Sequence, residues 1–548
     1  MVHALAGKPV QEQDIIDVQT IVDAYFDNVP DMTNPTQLVS FGTSGHRGTS
    51  VDGTFTDLHV AAITQAICDG RKQFGATGPI FVGQDTHALS QPALVTVLEV
   101  LAGNGVTAMV DCDMAFVPTP SVSRAIIRYN EEHDDKADGI IITPSHNPPD
   151  NGGIKYNTII GGPADTVVTK WIEMRANEYL TAYCESEDFN RISIDNIEPT
   201  AQVPYDYKGL YVEELGDVIN MEAIKAAGPK VLVDTLGGSG ASYWNAIKER
   251  YGLDLTIIHD DYDPTFSFMT YDHDGKVRMD CSSTYVMASV INRIGDFDLA
   301  VGNDPDYDRY GIVVSSGLIS ANTFLTLAAR YLFTTRGWKN KGVGKTVVCT
   351  TMIDKWAADA ETPVFEVPVG FKYFSQLLFD GAIGIGGEES AGASFLKKDG
   401  TVWTTDKDGM IMALLSMEIM AVMGKSALKM TDEFVEEFGN PSFGRIDAPC
   451  KKEQKQILKQ MSAELITATT VDGDPITNIR TTSLYNDMPI DGVRVETDKG
   501  WFVARPSGTE DLYKIYGESY KGDLGLVALL TAGEEIVNAA LNGTIETE

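Results

Sequence analysis

At 548 residues the chain is too long for one hydrophobic core, and three or four domains are expected. Its composition, 43% hydrophobic and 22% charged, is that of a globular enzyme without low-complexity segments. A formal net charge of −35, from 43 Lys+Arg against 78 Asp+Glu, argues against a nucleic-acid binder; any anionic ligand must be held by a local cluster of positive groups.

Short β-rich runs alternate with helical patterns along the chain, which predicts α/β units. The stretches GPIFVGQDTHALS and DGIIITPSHNPP each read as a strand entering a loop. PKVLVDTLGGSGASYWNAI reads as strand, Gly-rich turn and helix, and DFDLAVGNDPDYDRYGIVVS as two strands around an acidic loop. KTVVCTT, PVFEVPVG and GAIGIGGEES repeat the pattern of a strand ending in a polar or Gly-rich loop. After about residue 445, DGVRVETDKGWFVARPSGTEDLYKIYGES predicts a hairpin with a Lys-Gly turn and a further strand, within a smaller α+β domain. Linkers at 196–207, 315–322 and 438–450 divide the chain into 1–205, 206–320, 321–440 and 441–548. The three α/β parts are too dissimilar in sequence to establish a repeat.

Six cysteines (Cys68, Cys112, Cys184, Cys281, Cys349 and Cys450) lack CxxC spacing, which favours free thiols in a reducing compartment. The N-terminus lacks the basic-then-apolar order of a signal peptide. The apolar window Met410 to Met423 carries Glu418 and is too short for a bilayer, so it predicts a buried helix. A cytoplasmic protein with no membrane partner is the expectation, as a monomer or a homodimer.

In α/β sheets the loops beyond the strand carboxyl ends hold ligands. Asp304, Asp306 and Asp308 alternate in one such loop, GNDPDYDRYG. Their mutual repulsion calls for compensation, and Mg²⁺ binds through a few carboxylate oxygens while keeping positions for a phosphate oxygen. An EF-hand fails on Arg309 at loop position six and Ser315 at position twelve; a solvated turn is the alternative. A second loop, ITPSHNPPDNGG (Ile142 to Gly153), sets Ser145 beside His146 among stiffening prolines, with Gly152 and Gly153 free to take positive φ. A rigid turn and a presented serine fit it equally. Without a GxSxG elbow, and with His146 adjacent to Ser145, a hydrolase triad is poorly supported; a serine that accepts a phosphoryl group fits better.

RPSGTE offers the Arg505 fork, the Ser507 and Thr509 hydroxyls and the Gly508 backbone, either as a phosphate clamp or as a capped turn. In GGEESAG, Glu388 and Ser390 suit sugar hydroxyls, though a helix N-cap explains the same letters. GVGKT (Gly342 to Thr346) is no P-loop, since the required first Gly falls at Lys339 and the segment precedes a strand. GIGGEE is no dinucleotide fingerprint, because its sixth position is Glu389.

Five motifs, FGTSGHRG, TPSHNPPDNGGIKYN, GNDPDYDRYG, GGEESAG and RPSGTEDLYKIYGES, occur in that order between about residues 40 and 520. Together they resemble the α-D-phosphohexomutase superfamily, nearest its bacterial phosphoglucomutase branch. The resemblance implies three similar α/β domains with mixed sheets and a smaller C-terminal α+β domain around a central cleft. It implies a phosphoserine at Ser145, with Mg²⁺ held by Asp304, Asp306, Asp308 and Ser145. Arg47 and Arg309 would lie beside it, and His146 and Lys155 would move a proton or stabilise charge. Lys372, Glu388, Ser390 and Lys407 would contact the sugar phosphate, and Arg505, Ser507, Gly508 and Thr509 would hold its non-reacting phosphate. The implied reaction interconverts glucose 1-phosphate and glucose 6-phosphate through glucose 1,6-bisphosphate. The alternatives are a mannose- or glucosamine-phosphate mutase, or a non-catalytic sugar-phosphate-binding relative whose expected signature, a lost nucleophile or broken triplet, is not seen. In two places the chain departs from the family: GQDTHALS has His87 where many members carry Arg, and SAG follows the sugar loop where several mannose-tolerant members have His.

Overall fold

The computed structural model describes residues 2–42, 45–186, 190–506 and 512–545. Among these, four sheets form. The first contains β1 (Gly45–Thr49), β2 (Ile80–Gln84), β3 (Ala108–Asp111), β4 (Asp138–Ile142), β5 (Asn151–Asn157) and β6 (Gln202–Tyr205), in the order β1-β5-β4-β2-β3-β6. The second contains β7 (Val231–Asp234), β8 (Leu255–Ile258), β9 (Leu299–Asn303), β10 (Tyr310–Val314) and β11 (Gly317–Leu318), in the order β11-β10-β9-β7-β8. The third contains β12 (Gly342–Thr346), β13 (Val364–Val367), β14 (Ile383–Gly387) and β15 (Ala393–Phe395), in the order β13-β12-β14-β15.

These three sheets share one local design. Strands β4, β9 and β14 each pair in parallel with a neighbour on one side and turn back antiparallel on the other. The turn that follows each of them is a site loop: the Ser145 loop, the acidic loop and the GGEESAG loop. The likeness that sequence could not establish is therefore present in the topology. Strands of this kind are covered on both faces by helices, which is why IFVGQ and YGIVV are buried along their whole length.

The fourth sheet is antiparallel throughout, with β16 (Ser442–Pro449), β17 (Thr470–Val471), β18 (Asp474–Thr482), β19 (Pro489–Thr497), β20 (Gly500–Pro506) and β21 (Leu512–Ser519) in the order β16-β21-β20-β19-β18-β17. The helix Gly522–Ile545 covers it, packing Leu529, Leu530, Val537 and Leu541 against Val493, Phe502, Tyr513 and Ile515. By length and composition alone, its Gly522–Asn542 stretch could also cross a membrane.

Several local readings need correction. The β19–β20 hairpin pairs Thr497 with Gly500, so its two-residue turn is Asp498-Lys499 and Gly500 already belongs to the strand. GVGKT does not precede a strand; it is β12 itself. All three of the expected linkers contain edge strands, β6, β11 and β16. Gly152 and Gly153 do not take positive φ. They lie in β5, where a Cβ on Gly152 would meet Phe55 at 2.4 Å and one on Gly153 would meet the Thr143 carbonyl oxygen at 2.3 Å. Close approach, not a turn, explains them.

The apolar window is the helix Gly409–Met423, buried on every side along most of its length. Its one carboxylate, Glu418, accepts from the Asn220 amide (2.7 Å), the Tyr331 hydroxyl (2.8 Å) and Arg336 Nη2 (2.7 and 2.9 Å). Removing one partner of a buried pair leaves the other charge uncompensated, at a cost of about 3–5 kcal/mol. Glu418→Leu is therefore expected to lower the melting temperature of this helix-centred domain in scanning calorimetry, despite the gain in apolar volume.

Residues near the N-terminus run along the second domain. The His3 and Gly7 amides donate to the His273 and Tyr271 carbonyls (both 2.8 Å), and Val10 N donates to Met269 O (3.0 Å). This arm braces the segment that leads to Asp280 in the cleft.

Candidate active site

β2 and β4 are parallel neighbours, with Gln84 beside Ile142, so the loops at their carboxyl ends emerge together. Immediately after β4 the chain turns sharply. Ser145 takes φ +61°, and its amide donates to Thr143 Oγ1 at 2.8 Å. The left-handed region is uncommon for a non-glycine residue and costs about 1–2 kcal/mol. In this conformation the buried Ser145 hydroxyl donates to Asp304 Oδ2 at 3.1 Å and lies 3.2 Å from His146 Nδ1. The Ser145 loop is thus both a rigid turn and a presentation of its serine.

Asp304, Asp306 and Asp308 follow β9, and all three are buried, with one carboxylate oxygen from each within 4.8 Å of the others. Their charge is partly met by the chain. Asp306 Oδ2 accepts from Thr119 Oγ1 (2.7 Å) and Lys155 Nζ (2.6 Å). Asp308 Oδ2 accepts from Lys155 Nζ (3.1 Å) and lies 2.9 Å from Lys407 Nζ. Burial opposes the Asp308 charge, but Lys155, Lys407 and Arg309 outweigh it and hold this carboxyl well below the usual range. At Asp304, burial and the two neighbouring carboxylates act together and push its pKa well up. Among the described residues, the buried Asp306 Oδ1 and Asp308 Oδ1 accept no hydrogen bond. Two unsatisfied hard oxygen donors beside a third carboxylate suit a divalent cation such as Mg²⁺.

Arg47 stands on β1 opposite Gly153 and feels Asp306, Asp308 and Asp304, while burial pulls its pKa down. Arg309 is bridged to Gly392, and the Tyr310 amide donates to Ala391 O at 3.1 Å, so the acidic loop and the GGEESAG loop are stitched together. Gly392 makes room for a lysine: a Cβ there would meet Lys407 Cδ at 2.3 Å. Glu388 is buried nearby, and desolvation pushes its pKa up to about 7 against the pull of Lys407. Ser390 is half-buried in the same turn.

His146 is held neutral by burial, with Arg309 and Arg47 adding to the effect. Its Nε2 lies 3.8 Å from Asp280, which also faces Arg309 Nη1 at 3.4 Å. Lys155 and Lys407 have raised pKa values because their carboxylates outweigh burial, so both stay ammonium ions.

Lys372 opens the helix Lys372–Phe379 and donates from Nζ to Thr166 Oγ1 at 2.8 Å, joining the third domain to the first. Burial lowers its pKa, and Arg505 lies near enough to lower it further. Arg505 in turn donates from Nε to Ile490 O at 2.9 Å. These two cations form a second, separate positive cluster. Ser507, Gly508 and Thr509 lie outside the described residues, as do Thr43 and Ser44 of the FGTSGHRG motif.

Four groups at the site were not foreseen from the sequence: Thr119, Asp280, Asp406 and Asp85. Asp406 accepts from Asn157 Nδ2 at 2.9 Å and lies among Lys155, Lys407 and Asp308. Asp85 supports the Ser145 turn from below. Asp85 sits in the GQDTHALS stretch, where only His87 stood out, and the fold brings the others in.

A serine, a carboxylate triad and two cationic clusters, drawn from different domains into one cleft, define an enzyme of the phosphohexomutase class. Family descriptions match in order: phosphoglucomutase/phosphomannomutase α/β/α domain I over residues 38–182, domain II over 210–317, domain III over 320–438 and the C-terminal domain over 447–524. A phosphoglucomutase of Komagataeibacter xylinus is 46% identical over 543 residues, covering 98% of each chain. Phosphoglucomutase 1 of Saccharomyces cerevisiae is 27% identical, covering 88% of each. Among solved structures, the open form of the Paramecium exocytosis-sensitive phosphoprotein parafusin, a phosphoglucomutase, shares the fold with a TM-score of 0.72 at 20% identity, over 94% of this chain and 96% of that one. The chain belongs to the phosphoglucomutase/phosphomannomutase family, and it is an intramolecular phosphotransferase of the isomerase class.

Proposed function

We propose that the enzyme is a Mg²⁺-dependent phosphoglucomutase, interconverting α-D-glucose 1-phosphate and glucose 6-phosphate through a phosphoserine at Ser145. The observation that carries this reading is Ser145 itself, a buried hydroxyl in a strained turn, 3.1 Å from a triad that keeps two unsatisfied carboxylate oxygens. Asp304, Asp306, Asp308 and the Ser145 oxygen would hold a Mg²⁺ ion, which would neutralise phosphoryl charge.

The rest is performed by the chain. The 6-hydroxyl of glucose 1-phosphate attacks the phosphorus of phosphoserine 145; the P–O bond to the serine breaks as the bond to O6 forms, and the proton lost from O6 is balanced by the one the freed seryl oxygen takes up, with His146 beside that oxygen. Glucose 1,6-bisphosphate then reorients in the cleft, and Ser145 Oγ attacks the phosphorus on O1; the P–O1 bond breaks as the bond to the serine forms, and O1 takes a proton, leaving glucose 6-phosphate and a renewed phosphoserine. Neutral His146, 3.2 Å away, is placed to take the seryl proton in that half-reaction. Lys155, Lys407, Arg47 and Arg309 stabilise charge, since cations held by carboxylates are poor bases. Glu388 and Ser390 orient sugar hydroxyls. Arg505 with Lys372, joined by Ser507, Gly508 and Thr509, holds whichever phosphate is not reacting. This division of labour rests on domains at 1–205, 206–320, 321–440 and 441–548, in a cytoplasmic enzyme.

Intact-mass measurement before and after incubation with glucose 1,6-bisphosphate, alongside kcat/KM across glucose, mannose and glucosamine phosphates with and without EDTA, tests this reading. A gain of one phosphate on Ser145, preference for glucose and loss of turnover in EDTA are expected. Binding of substrate without any phosphate on the protein would refute the phosphoserine, and a preference for mannose or glucosamine phosphate would refute the sugar.

Glu388 gives the reading a pH signature. Its carboxyl accepts from sugar hydroxyls through both oxygens, and most strongly, when ionised, and burial pushes its pKa up to about 7. As pH falls through that value the carboxylate is lost, so kcat/KM is expected to fall on the acid side. In Glu388→Gln that limb should flatten at a lower plateau; an unchanged acid limb would exclude Glu388 as its source.

A further inference from the structure

We propose that Asp85 and His87 are a buried positioning pair that fixes both ends of the nucleophile turn, through the Thr143 hydroxyl on one side and the Asn147 carbonyl on the other. This rests on the reading of Ser145 as phosphoryl acceptor.

The pairing of β2 with β4 brings the segment 85–87 beneath residues 143–147, and the Asp85 amide continues the ladder by donating to Ile142 O at 3.0 Å. The Asp85 carboxylate is fully buried and fully used. Its Oδ1 accepts from the His87 amide (3.0 Å) and Ser90 Oγ (2.5 Å), and its Oδ2 from His87 Nδ1 (2.8 Å) and Thr143 Oγ1 (2.6 Å). Because an ionised carboxylate only accepts, the Thr143 hydroxyl must donate to it. That leaves a Thr143 lone pair to receive the Ser145 amide at 2.8 Å, the bond that supports the left-handed conformation of the serine. Direction is therefore imposed along the whole chain, from Asp85 through Thr143 to Ser145.

The second arm follows the same logic. His87 Nε2 lies 3.0 Å from Asn147 O, and a carbonyl only accepts, so Nε2 carries a proton just as Nδ1 does toward Asp85. His87 spans carboxylate and carbonyl as an imidazolium. The groups facing it are Asp85 from its own loop, Asn147 from the nucleophile loop and the Phe266 ring of the second domain, 5.1 Å between centroids, with Asp306 acting at longer range. Burial alone would discharge the ring, but Asp85 outweighs it and moves the pKa upward. Above that pKa one nitrogen loses its proton and one of the two tethers is lost. Neither residue touches substrate on this reading; they hold Ser145 and His146 in line, where a displacement of about 1 Å can cost on the order of 10²-fold in rate.

Two matched pairs of variants test this in the full-length enzyme. Thr143→Val is isosteric but can neither donate to Asp85 nor accept from Ser145, while Thr143→Ser keeps both roles. His87→Phe removes the tether, while His87→Arg keeps a permanent cation with several donors. Thr143→Val and His87→Phe are expected to lower kcat about 10²-fold with KM within about threefold, and to slow phosphate loading of Ser145 from glucose 1,6-bisphosphate in parallel. Thr143→Ser and His87→Arg should recover most of both. Wild-type kcat should also fall as pH rises through the folded pKa of His87, and His87→Arg should lack that alkaline limb. Wild-type kcat and loading rates in Thr143→Val, an effect on KM alone, or a loss that Thr143→Ser does not restore would each overturn the proposal. If His87→Phe does not fold, the threonine pair decides alone. A wild-type enzyme that never takes up phosphate would instead refute the phosphoserine reading, so the two failures are separable.

Discussion

Ser145→Ala is expected to lose at least about 10⁴-fold in kcat/KM and to show no mass gain with glucose 1,6-bisphosphate, because removing a nucleophile from a group that acts as a unit removes nearly all of the unit's effect. The fold should survive. Among the described residues the side chain makes two polar contacts, with Asp304 and His146, and Ala tolerates the left-handed backbone about as well as Ser does. Ser145→Thr separates chemistry from geometry. It keeps a hydroxyl, but a β-branched residue at φ +61° is a genuine outlier, so the turn must relax and the hydroxyl move. Activity in Ser145→Thr is expected to stay within about tenfold of the alanine variant. Substantial turnover by Ser145→Ala would eliminate the serine as phosphoryl carrier, and full turnover by Ser145→Thr would show that the strained turn has no bearing on catalysis.

The parts of this site that were legible in the sequence share one physical feature: each is a polar island immediately after an apolar strand, as in β4 before Ser145 and β9 before Asp304. Such a loop has no local reason for its composition, so its chemistry stands out. Asp280, Asp406 and Thr119 carry no such contrast. Asp280 matters only because the second domain lays its segment over His146 and Arg309, which is a matter of tertiary packing. The missed strands have a different cause. β6 contains Pro204 and β16 ends in Pro449, and both lie at sheet edges, the one place where proline is tolerated and where sequence pattern is weakest. The glycines of the Ser145 loop show the limit of composition: a turn was expected at Gly152 and Gly153, yet the positive φ falls on the serine and the glycines serve close packing against Phe55 and Thr143. His87 stood out only as a departure from the family pattern, and its two tethers give that departure a physical role.

Asp308→Asn is expected to weaken Mg²⁺ binding about 10²–10³-fold in calorimetric titration, because the charge count of its oxygen ligands sets the affinity of a hard cation. The effect on turnover should be at least as large and should not be restored by saturating Mg²⁺. Asp308 does more than offer an oxygen: its other oxygen anchors Lys155 and Lys407, at 3.1 and 2.9 Å. A neutral amide in its place cannot match the charge of two ammonium groups, and Lys407, deprived of the carboxylate nearest it, would itself repel a cation. Within the triad, Asp306→Asn serves as the comparison, since Thr119 still donates to that side chain and only Lys155 loses one of its two carboxylate partners. If the three carboxylates act as a metal site, both variants must lose Mg²⁺ affinity, and Asp308→Asn must lose more turnover because it weakens the hold on two lysines, Lys407 and Lys155, where Asp306→Asn weakens only the hold on Lys155. If both variants bind Mg²⁺ with wild-type affinity, the triad serves only to hold Lys155 and Lys407, and the unsatisfied oxygens of Asp306 and Asp308 need another ligand.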